Sequence, residues 1–484
     1  MVVGANHTRP LVLLVIPMGD FALRTCLALY FCPMQANGLA TDPICALSTP
    51  PGVGGIAVIR CSGAGSLQLF QPLFSKDLSA AKTHTVHFGQ FAEGEAWIDE
   101  GVVTLFLGKA SYTGEETLEL SCHGSPYIQQ RLLQALVGAG FRMAEPGEFT
   151  MRAFRNGKLD LSQAEAVADL IAAESQASHQ LAMHQLRGGF SEEIQGLREE
   201  LIHFASMIEL ELDFSEEDVE FANRDDLKAL VESLLGKIKR LMDSFATGVV
   251  VKEGVPVAIV GKPNAGKSTL LNALLNEDRA IVSDIPGTTR DTVEDVTNIG
   301  GIRFRFIDTA GLRETTDEIE AIGVERSRTK IGEARLVLYL YDPTELDDAQ
   351  LEPELADIRA RLSDGAELIV IRNKTDLASP HPEHLSISAK EGQGLEDLHS
   401  ALTASISETL SSNNTVVTNA RHHAALLAAQ TSLVEVLNGL AINITGDFLA
   451  IDIRKALHHL GEITGEVTHE DLLDFIFSRF CIGK

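Results

Sequence analysis

"VPVAIVGKPNAGKSTLLNALL", residues Val255 to Leu275, decides the fold of the middle of this chain. "VPVAIV" is a short apolar run that suits a buried strand, and "TLLNALL" has the composition of a helix. Between them "GKPNAGKS" (Gly261–Ser268) carries two glycines, then lysine and serine. Strand, glycine loop and helix in that order are what a phosphate-binding loop needs. The glycines let backbone N–H groups wrap an anion at a helix N-terminus. Lys267 is spaced to reach the β- and γ-phosphates, and the Ser268 hydroxyl to bind Mg²⁺. Asn264, Ala265, Gly266 and Thr269 complete the expected contacts of this loop.

Three further motifs follow in order. "DTAG" (Asp308, Thr309, Ala310, Gly311) ends the strand-like run "IRFRFI". Asp308 is suited to hold Mg²⁺ through a water, and the Gly311 N–H to meet the γ-phosphate. "NKTD" (Asn373, Lys374, Thr375, Asp376) ends "ELIVIR". The Asp376 carboxylate can accept from both guanine N1–H and the exocyclic amine, a pair that adenine lacks. "SAK" (Ser388, Ala389, Lys390) would close the base pocket. Together they describe a guanine-nucleotide site, and residues 253–410 resemble the translation-factor-like class of GTPases.

One position departs from the Ras-like pattern. Leu312 stands after DTAG, where a glutamine would orient the attacking water. Another group must do this work. "VSDIPGTTRD" (Val282–Asp291) reads as the switch: Ser283, Asp284, Ile285, Pro286 and Gly287 lead to Thr288 or Thr289, one of which would close on Mg²⁺. A monovalent cation held by Asn264 and backbone carbonyls could balance the developing charge; the rival is Arg290 or Arg313 acting in cis.

Outside this unit the pattern changes. The chain has 484 residues, of which 45% are hydrophobic and 22% charged, enough for about three domains of ordinary globular balance. Acidic residues outnumber basic ones 68 to 40, so the net charge is −28. Such a surface argues against a free-standing, non-specific nucleic-acid binder but allows RNA to be held by a local patch or a basic partner. Six scattered cysteines without a C-x-x-C point to a reducing compartment, with no disulfide framework or structural zinc. Residues 1–40 read as an atypical extension with little order: its apolar runs, interrupted by Asp20 and Arg24, are too short for a spanning helix, and no clear small-residue cleavage site follows a basic region as a secretory signal requires. Residues 41–160 show short β-rich runs and one helical stretch, an α+β pattern in which Trp97 should pack. Residues 161–252 and 413–484 are helical, with apolar positions three and four apart. Residues 253–412, an α/β unit with a mostly parallel sheet, are therefore expected to be inserted within a discontinuous helical domain. His422/His423 and His458/His459 are adjacent pairs that do not share a helix face, which argues against a metal site.

Four stretches place the whole in a family: "STPPGVGGIAVIRCSG" (Ser48–Gly63), "SYTGEETLELSCHG" (Ser111–Gly124), "AEPGEFTMRAFRNGKLDLSQAEAVADLI" (Ala144–Ile171) and the tail "CIGK". In this order around the GTPase motifs, they closely resemble the MnmE (TrmE) family of tRNA-modification GTPases over residues 42–484. The resemblance implies a three-part architecture: an N-terminal folate-binding domain that dimerises, the discontinuous helical domain, and the inserted P-loop GTPase domain. It implies K⁺-dependent pairing of GTPase domains in a homodimer, with K⁺ held by Asn264 and the backbones of Ser283, Ile285 and Thr288. Mg²⁺ would fall to Ser268 and Thr289, and Glu320 would position the catalytic water through a second water. The family adds a carboxymethylaminomethyl or aminomethyl group to C5 of the wobble uridine of certain tRNAs. It works in a heterotetramer with a flavin-dependent partner of the MnmG (GidA) type, in the cytoplasm. A tetrahydrofolate derivative (5-formyl or 5,10-methylene) supplies the one-carbon unit, and the matching folate positions are Arg60, Glu119, Lys158 and Lys484. Ser125 stands where a second glycine is common.

Two other functions are weighed against this. Assembly GTPases of the ribosome carry either two P-loops or a basic terminal domain, and this chain shows one GKS and a helical end of balanced charge. A membrane-anchored switch is suggested by Cys481, four residues from the end. Gly483 and Lys484 do not suit a prenylation box, and no polybasic run precedes it. The remaining reading is an arm, carried by "HEDLLDFIFSRF", that brings Cys481 and Lys484 towards the folate pocket.

Overall fold

The computed structural model describes residues 42–213, 224–278, 295–307, 330–346, 348–363, 365–377, 381, 383–410 and 415–483. All lie in the second of two units, Asp42–Lys484; the first, Met1–Thr41, falls outside the described residues.

The first sheet has six strands: β1 (Ile44–Leu47), β2 (Ile56–Ser62), β3 (Thr85–Glu93), β4 (Ala96–Phe106), β5 (Thr117–His123) and β6 (Arg142–Met143). Their order is β3-β4-β5-β2-β1-β6, antiparallel except where β1 meets β6. Strands rich in Val, Ile, Thr and Phe suit a pleated, half-buried surface. One face buries Ile59, Phe91, Val103, Leu105, Leu118 and Leu120, and helices α1 (Ser66–Phe70) and α2 (Pro126–Gly138) add Phe70, Leu132, Ala135 and Leu136 to this core. Trp97 does not join this core. It lies on β4 with 65% of its surface exposed, its indole Nε1 donating to the Asp99 carbonyl at 2.9 Å. The expectation of packing fails because this end of β4 pairs only with β3, beside a register shift between Phe91 and Ala92, and its pairing with β5 begins at Val102. The β2–β5 register sets Arg60 opposite Glu119.

Helix α3 (Glu148–Arg155) follows, then α4 (Leu161–Ala172), α5 (Gln176–Leu186), α6 (Gly189–Asp213), α7 (Arg224–Asp243) and α8 (Phe245–Glu253). Along α6 the buried residues Phe190, Ile194, Leu197, Leu201, Ala205 and Ile208 recur every three or four positions, the stripe of one helix face. That stripe meets α7 and two helices from the far end of the sequence, α12 (Ala420–Ala441) and α13 (Gly446–Thr464). The helical core is therefore discontinuous in sequence. Helix α12 is long and apolar enough to cross a membrane, but Leu426, Ala429, Leu433 and Val436 bury its apolar face in this core.

The second sheet contains β7 (Val255–Val260), β8 (Asp295–Ile299), β9 (Ile302–Phe306), β10 (Leu336–Tyr341), β11 (Glu367–Arg372) and β12 (Leu385–Ser386). Its order is β12-β11-β10-β7-β9-β8, parallel except for the β8–β9 hairpin. Helices α9 (Lys267–Asp278) and α11 (Leu395–Leu410) cover one face and α10 (Asp348–Arg359) the other. With both faces covered, β10 ("LVLYLY") is buried at every position. The chain enters the unit from α8 and returns through residues 415–419, where the Val417 N–H donates to Ser244 Oγ at 3.0 Å. Gln185 Nε2 donates to Thr418 Oγ1 at 3.1 Å beside it.

Candidate functional site

Strand β7 sits where the sheet order turns, with β10 on one side and β9 on the other. Ligands of open α/β sheets bind beyond the strand ends at such a point, and Gly261–Ser268 leaves β7 there. Asn264 holds a left-handed φ of 61°. Gly266 has φ 99°, and a Cβ on it would stand 2.2 Å from Asn373 Nδ2, so the close approach of the loop to NKTD requires glycine. Asn373 is buried and splices three motifs together. Its Nδ2 donates to the Ala265 carbonyl at 2.8 Å, and its Oδ1 accepts from the Ala389 N–H at 3.0 Å. Ser388 Oγ donates to Asp376 Oδ1 at 2.7 Å, which orients the carboxylate that would read guanine. Lys390 and Thr269 are exposed, and the Thr375 N–H donates to Ile387 in the strand extension beside them. Ser268 is half-buried at the start of α9.

Lys267 Nζ donates to the carbonyls of Gly261 (2.7 Å) and Lys262 (2.8 Å), and burial pushes its ammonium below the usual lysine range. Two supports were not visible in the motifs. Lys374, at φ 59°, donates to Asp342 Oδ2 at 2.5 Å. Asp342 is buried at the end of β10, and its Oδ1 accepts from the N–H (2.8 Å) and Oγ1 (2.7 Å) of Thr344. Burial works to raise the Asp342 carboxyl, but Lys374 and Thr344 overcome it and hold it below the usual range. Lys262 pairs with Glu354 of α10 at 2.9 Å, tying the loop to the opposite face of the sheet. The only signal for either was a carboxylate at a strand end or on a helix. Ser283, Asp284, Ile285, Pro286, Gly287, Thr288, Thr289 and Arg290 lie outside the described residues, as do Asp308, Thr309, Ala310, Gly311, Leu312, Arg313 and Glu320.

A second site forms where the C-terminus meets the first sheet. Arg60 donates to Glu119 Oε1 through Nε (3.1 Å) and Nη2 (2.9 Å), with its guanidinium over the rings of Tyr112 (5.3 Å) and Phe149 (5.7 Å). Helix α14 (Glu470–Phe477) packs Leu473, Ile476 and Phe477 against Leu161 and Ala164 and delivers the tail. The Gly147 N–H donates to the Cys481 carbonyl at 3.4 Å, and Ser48 Oγ to the Gly483 carbonyl at 3.1 Å; Arg60 Nη1 lies 3.5 Å from that carbonyl. A Cβ on Gly483 (φ 92°) would stand 2.3 Å from the Leu47 carbonyl oxygen, so this contact also requires glycine. The tail thus docks beside Arg60 with the Cys481 side exposed. Lys158 is not drawn into the cluster; its Nζ donates to the Lys109 carbonyl at 3.0 Å. Lys484 lies outside the described residues. Arg60 and Glu119 are spent largely on each other, yet Glu119 Oε2 accepts no hydrogen bond among the described residues and its side chain is 29% exposed. A donor-rich heterocycle would fit that oxygen.

The histidines resolve into pairs. His422 Nε2 lies 2.7 Å from Glu165 Oε2, His423 stacks on Phe245 at 4.5 Å, and His458 and His459 both face Glu462.

Known proteins resemble this chain over most of its length. A family model of the MnmE helical domain matches residues 161–481, and one of the GTP-binding protein TrmE N-terminus matches residues 43–158. The tRNA modification GTPase MnmE of Christiangramia forsetii is 55% identical over 471 residues, 92% of this chain and 99% of that protein. The protein of the same name from Cytophaga hutchinsonii is 53% identical over 454 residues, 92% of this chain and 98% of its own. Among solved structures, an Aquifex aeolicus Era variant bound to GDP and aluminium fluoride is 29% identical, covering 37% of this chain and 66% of that one with a TM-score of 0.24. Matched by both models and by relatives of the same name over nearly their full length, the chain belongs to the MnmE family of tRNA modification GTPases.

Proposed function

We propose that this chain hydrolyses GTP to drive modification of the wobble uridine (U34) of certain tRNAs. The product is a carboxymethylaminomethyl or aminomethyl group on C5, made with a flavin-dependent partner in a heterotetramer. Functionally the chain divides into a folate-binding and dimerising domain (41–160), two helical parts (161–252 and 413–484) and the GTPase domain (253–412). The observation that carries the reading is the docking of the tail beside Arg60 and Glu119, which brings Gly483 to Ser48 and Arg60, 435 and 423 residues away in sequence, and Cys481 to Gly147. A tetrahydrofolate derivative would supply a one-carbon unit there. Arg60 and Glu119 would hold it, with Lys158 and Lys484 at the rim, and Cys481 would stand beside the transferred group.

In the GTPase domain, Ser268 and Thr289 would hold Mg²⁺. Asn264 with the backbones of Ser283, Ile285 and Thr288 would hold K⁺ where two such domains of a homodimer meet. Glu320 would orient water in place of the missing glutamine, and Arg290 would act nearby. The cytoplasm, where tRNA and reduced thiols are found together, is the expected location. Mass analysis of the wobble uridine in cells lacking this protein tests the reading, with complementation by wild type, Lys267→Ala and Cys481→Ser. Unchanged modification in the deletion strain overturns it. Equal GTP hydrolysis rates in K⁺ and Na⁺ overturn the potassium role alone.

A further inference from the structure

Helix α4 runs between several parts of the fold and bonds to them along its length. At its start, Leu161 and Ala164 pack with Leu473, Ile476 and Phe477 of α14. Next, Glu165 accepts from Arg421 Nε (3.0 Å) and Nη2 (2.8 Å) and lies 2.7 Å from His422 Nε2. Four residues on, Asp169 pairs with Lys252 of α8 at 2.7 Å. Just past the helix, Glu174 pairs with Arg303 of β9 at 3.0 Å, and its carbonyl accepts from Asn298 Nδ2 at 3.2 Å. The Ala177 N–H then donates to the Gly301 carbonyl at 3.1 Å. Residues four apart share a helix face, so Glu165 and Asp169 form a row along a rod about 18 Å long.

Each end of the row leads to one of the two sites. Gly300 and Gly301 form the turn of the β8–β9 hairpin. By sequence, β8 begins four residues after the segment 282–291 and β9 ends two residues before Asp308, both assigned above to the nucleotide. A five-residue strand spans about 17 Å, so the hairpin carries a displacement at its feet to the turn held by Glu174, just past α4, and by Ala177 of α5. At the other end, Arg421 also donates to the carbonyls of Glu462 (2.5 Å) and Ile463 (3.1 Å) in the last turn of α13. Helix α14 begins six residues beyond Thr464 and ends at the docked tail.

We propose that α4 transmits the nucleotide state of the α/β unit to the C-terminal tail, through the hairpin at one end and Arg421 at the other, with Glu165 the positioning residue at the centre. Glu165 is nearly buried and receives charge-assisted bonds from two side chains. Such a group does not slide past its partners; a shift of α4 either carries Arg421 and the end of α13 with it or breaks a buried ion pair. The two sites share no residue, and this row of contacts joins them. The inference rests on GTP binding by this family and not on folate, so the tail is read directly and the two ideas fail separately.

The test is the alkylation rate of Cys481, followed by peptide mass in the full-length protein saturated with GDP or with a non-hydrolysable GTP analogue. Coupling of ordinary strength makes the wild-type rates differ at least about fivefold between the two states. Glu165→Gln and Glu174→Gln each bring the ratio close to one while nucleotide affinity and intrinsic hydrolysis stay at wild-type levels. Glu174 is well exposed, so its variant folds even if a change at Glu165 does not. Equal wild-type rates, or a ratio that survives in either folded variant, overturn the proposal.

Discussion

The nucleotide loop and the tail pocket are built in opposite ways. The first gathers Gly261–Ser268, Asn373–Asp376 and Ser388–Lys390, each at the end of a strand of one sheet or its extension, within one α/β unit. The second joins Ser48, Arg60, Glu119 and Gly147 to Cys481 and Gly483, from the two ends of the described chain. A site made by sheet topology inherits its geometry from strand order. A site made by docking a terminus depends on a few close contacts with long loop closure behind them. The first should fail in chemistry when a side chain is lost, the second in position when a contact is lost.

The sharpest separation comes from Lys267→Ala. GTP hydrolysis should fall by about two to three orders of magnitude, as for loss of a preorganised group facing transition-state charge. Cys481 reactivity in the GDP state should not change, and a matching change there would show that the sites are not independently built. Gly483→Ala attacks the other side. A Cβ overlapping the Leu47 carbonyl, at a φ that suits glycine, should cost about 1–3 kcal/mol or lift the tail away. Faster alkylation of Cys481, with intrinsic GTP hydrolysis preserved, is the expected reading. Asp342→Asn is a smaller test within the nucleotide site. It removes the charged acceptor of Lys374, and guanine-nucleotide affinity should fall about tenfold, the worth of one charge-assisted bond. Unchanged affinity would mean that the strand ends alone hold NKTD in place.

The mildest effect is on stability against pH, and it belongs to neither pocket. Burial pushes the His422 imidazole below its usual 6.5 against the pull of Glu165. Burial also works to raise the Glu165 carboxyl, but His422 and Arg421 overcome it and hold it at about 2. In both cases the unfolded chain binds more protons, so stability is complete above the unfolded values and falls as pH falls. Loss should begin below about pH 6.5 with His422 and continue from about 4.5 towards 2 with Glu165. Urea midpoints between pH 7.5 and 4 measure it, and His422→Phe should flatten the upper part of the profile.

Much of this was legible in the sequence, for identifiable reasons. The phosphate loop shows itself because its chemistry needs a contiguous strand, glycine loop and helix. The insertion shows because helical periodicity stops near residue 252 and resumes near 413. Asp342, Glu354 and Glu165 did not show, since a lone carboxylate on a strand end or helix looks the same whether it faces solvent or a buried cation. Trp97 misled for a related reason: a large apolar side chain predicts burial on average, but the end of a two-stranded ribbon has no layer above it. The tail was read as an arm reaching the first domain, and what the sequence lacked was the Gly483–Leu47 approach that fixes where it stops.

The hydrogen bond from Val417 to Ser244 has a consequence for how such a chain is assembled. The α/β unit departs and returns through one narrow doorway, and the helices on either side already touch there. Removal of the chain between Gly254 and residue 415 would leave the apolar faces of α6, α7, α12 and α13 still able to close on one another. The same doorway would accept a foreign unit with neighbouring termini. Exchange of the module would have to replace one further set of contacts, those of Glu174 and Ala177 with the β8–β9 hairpin.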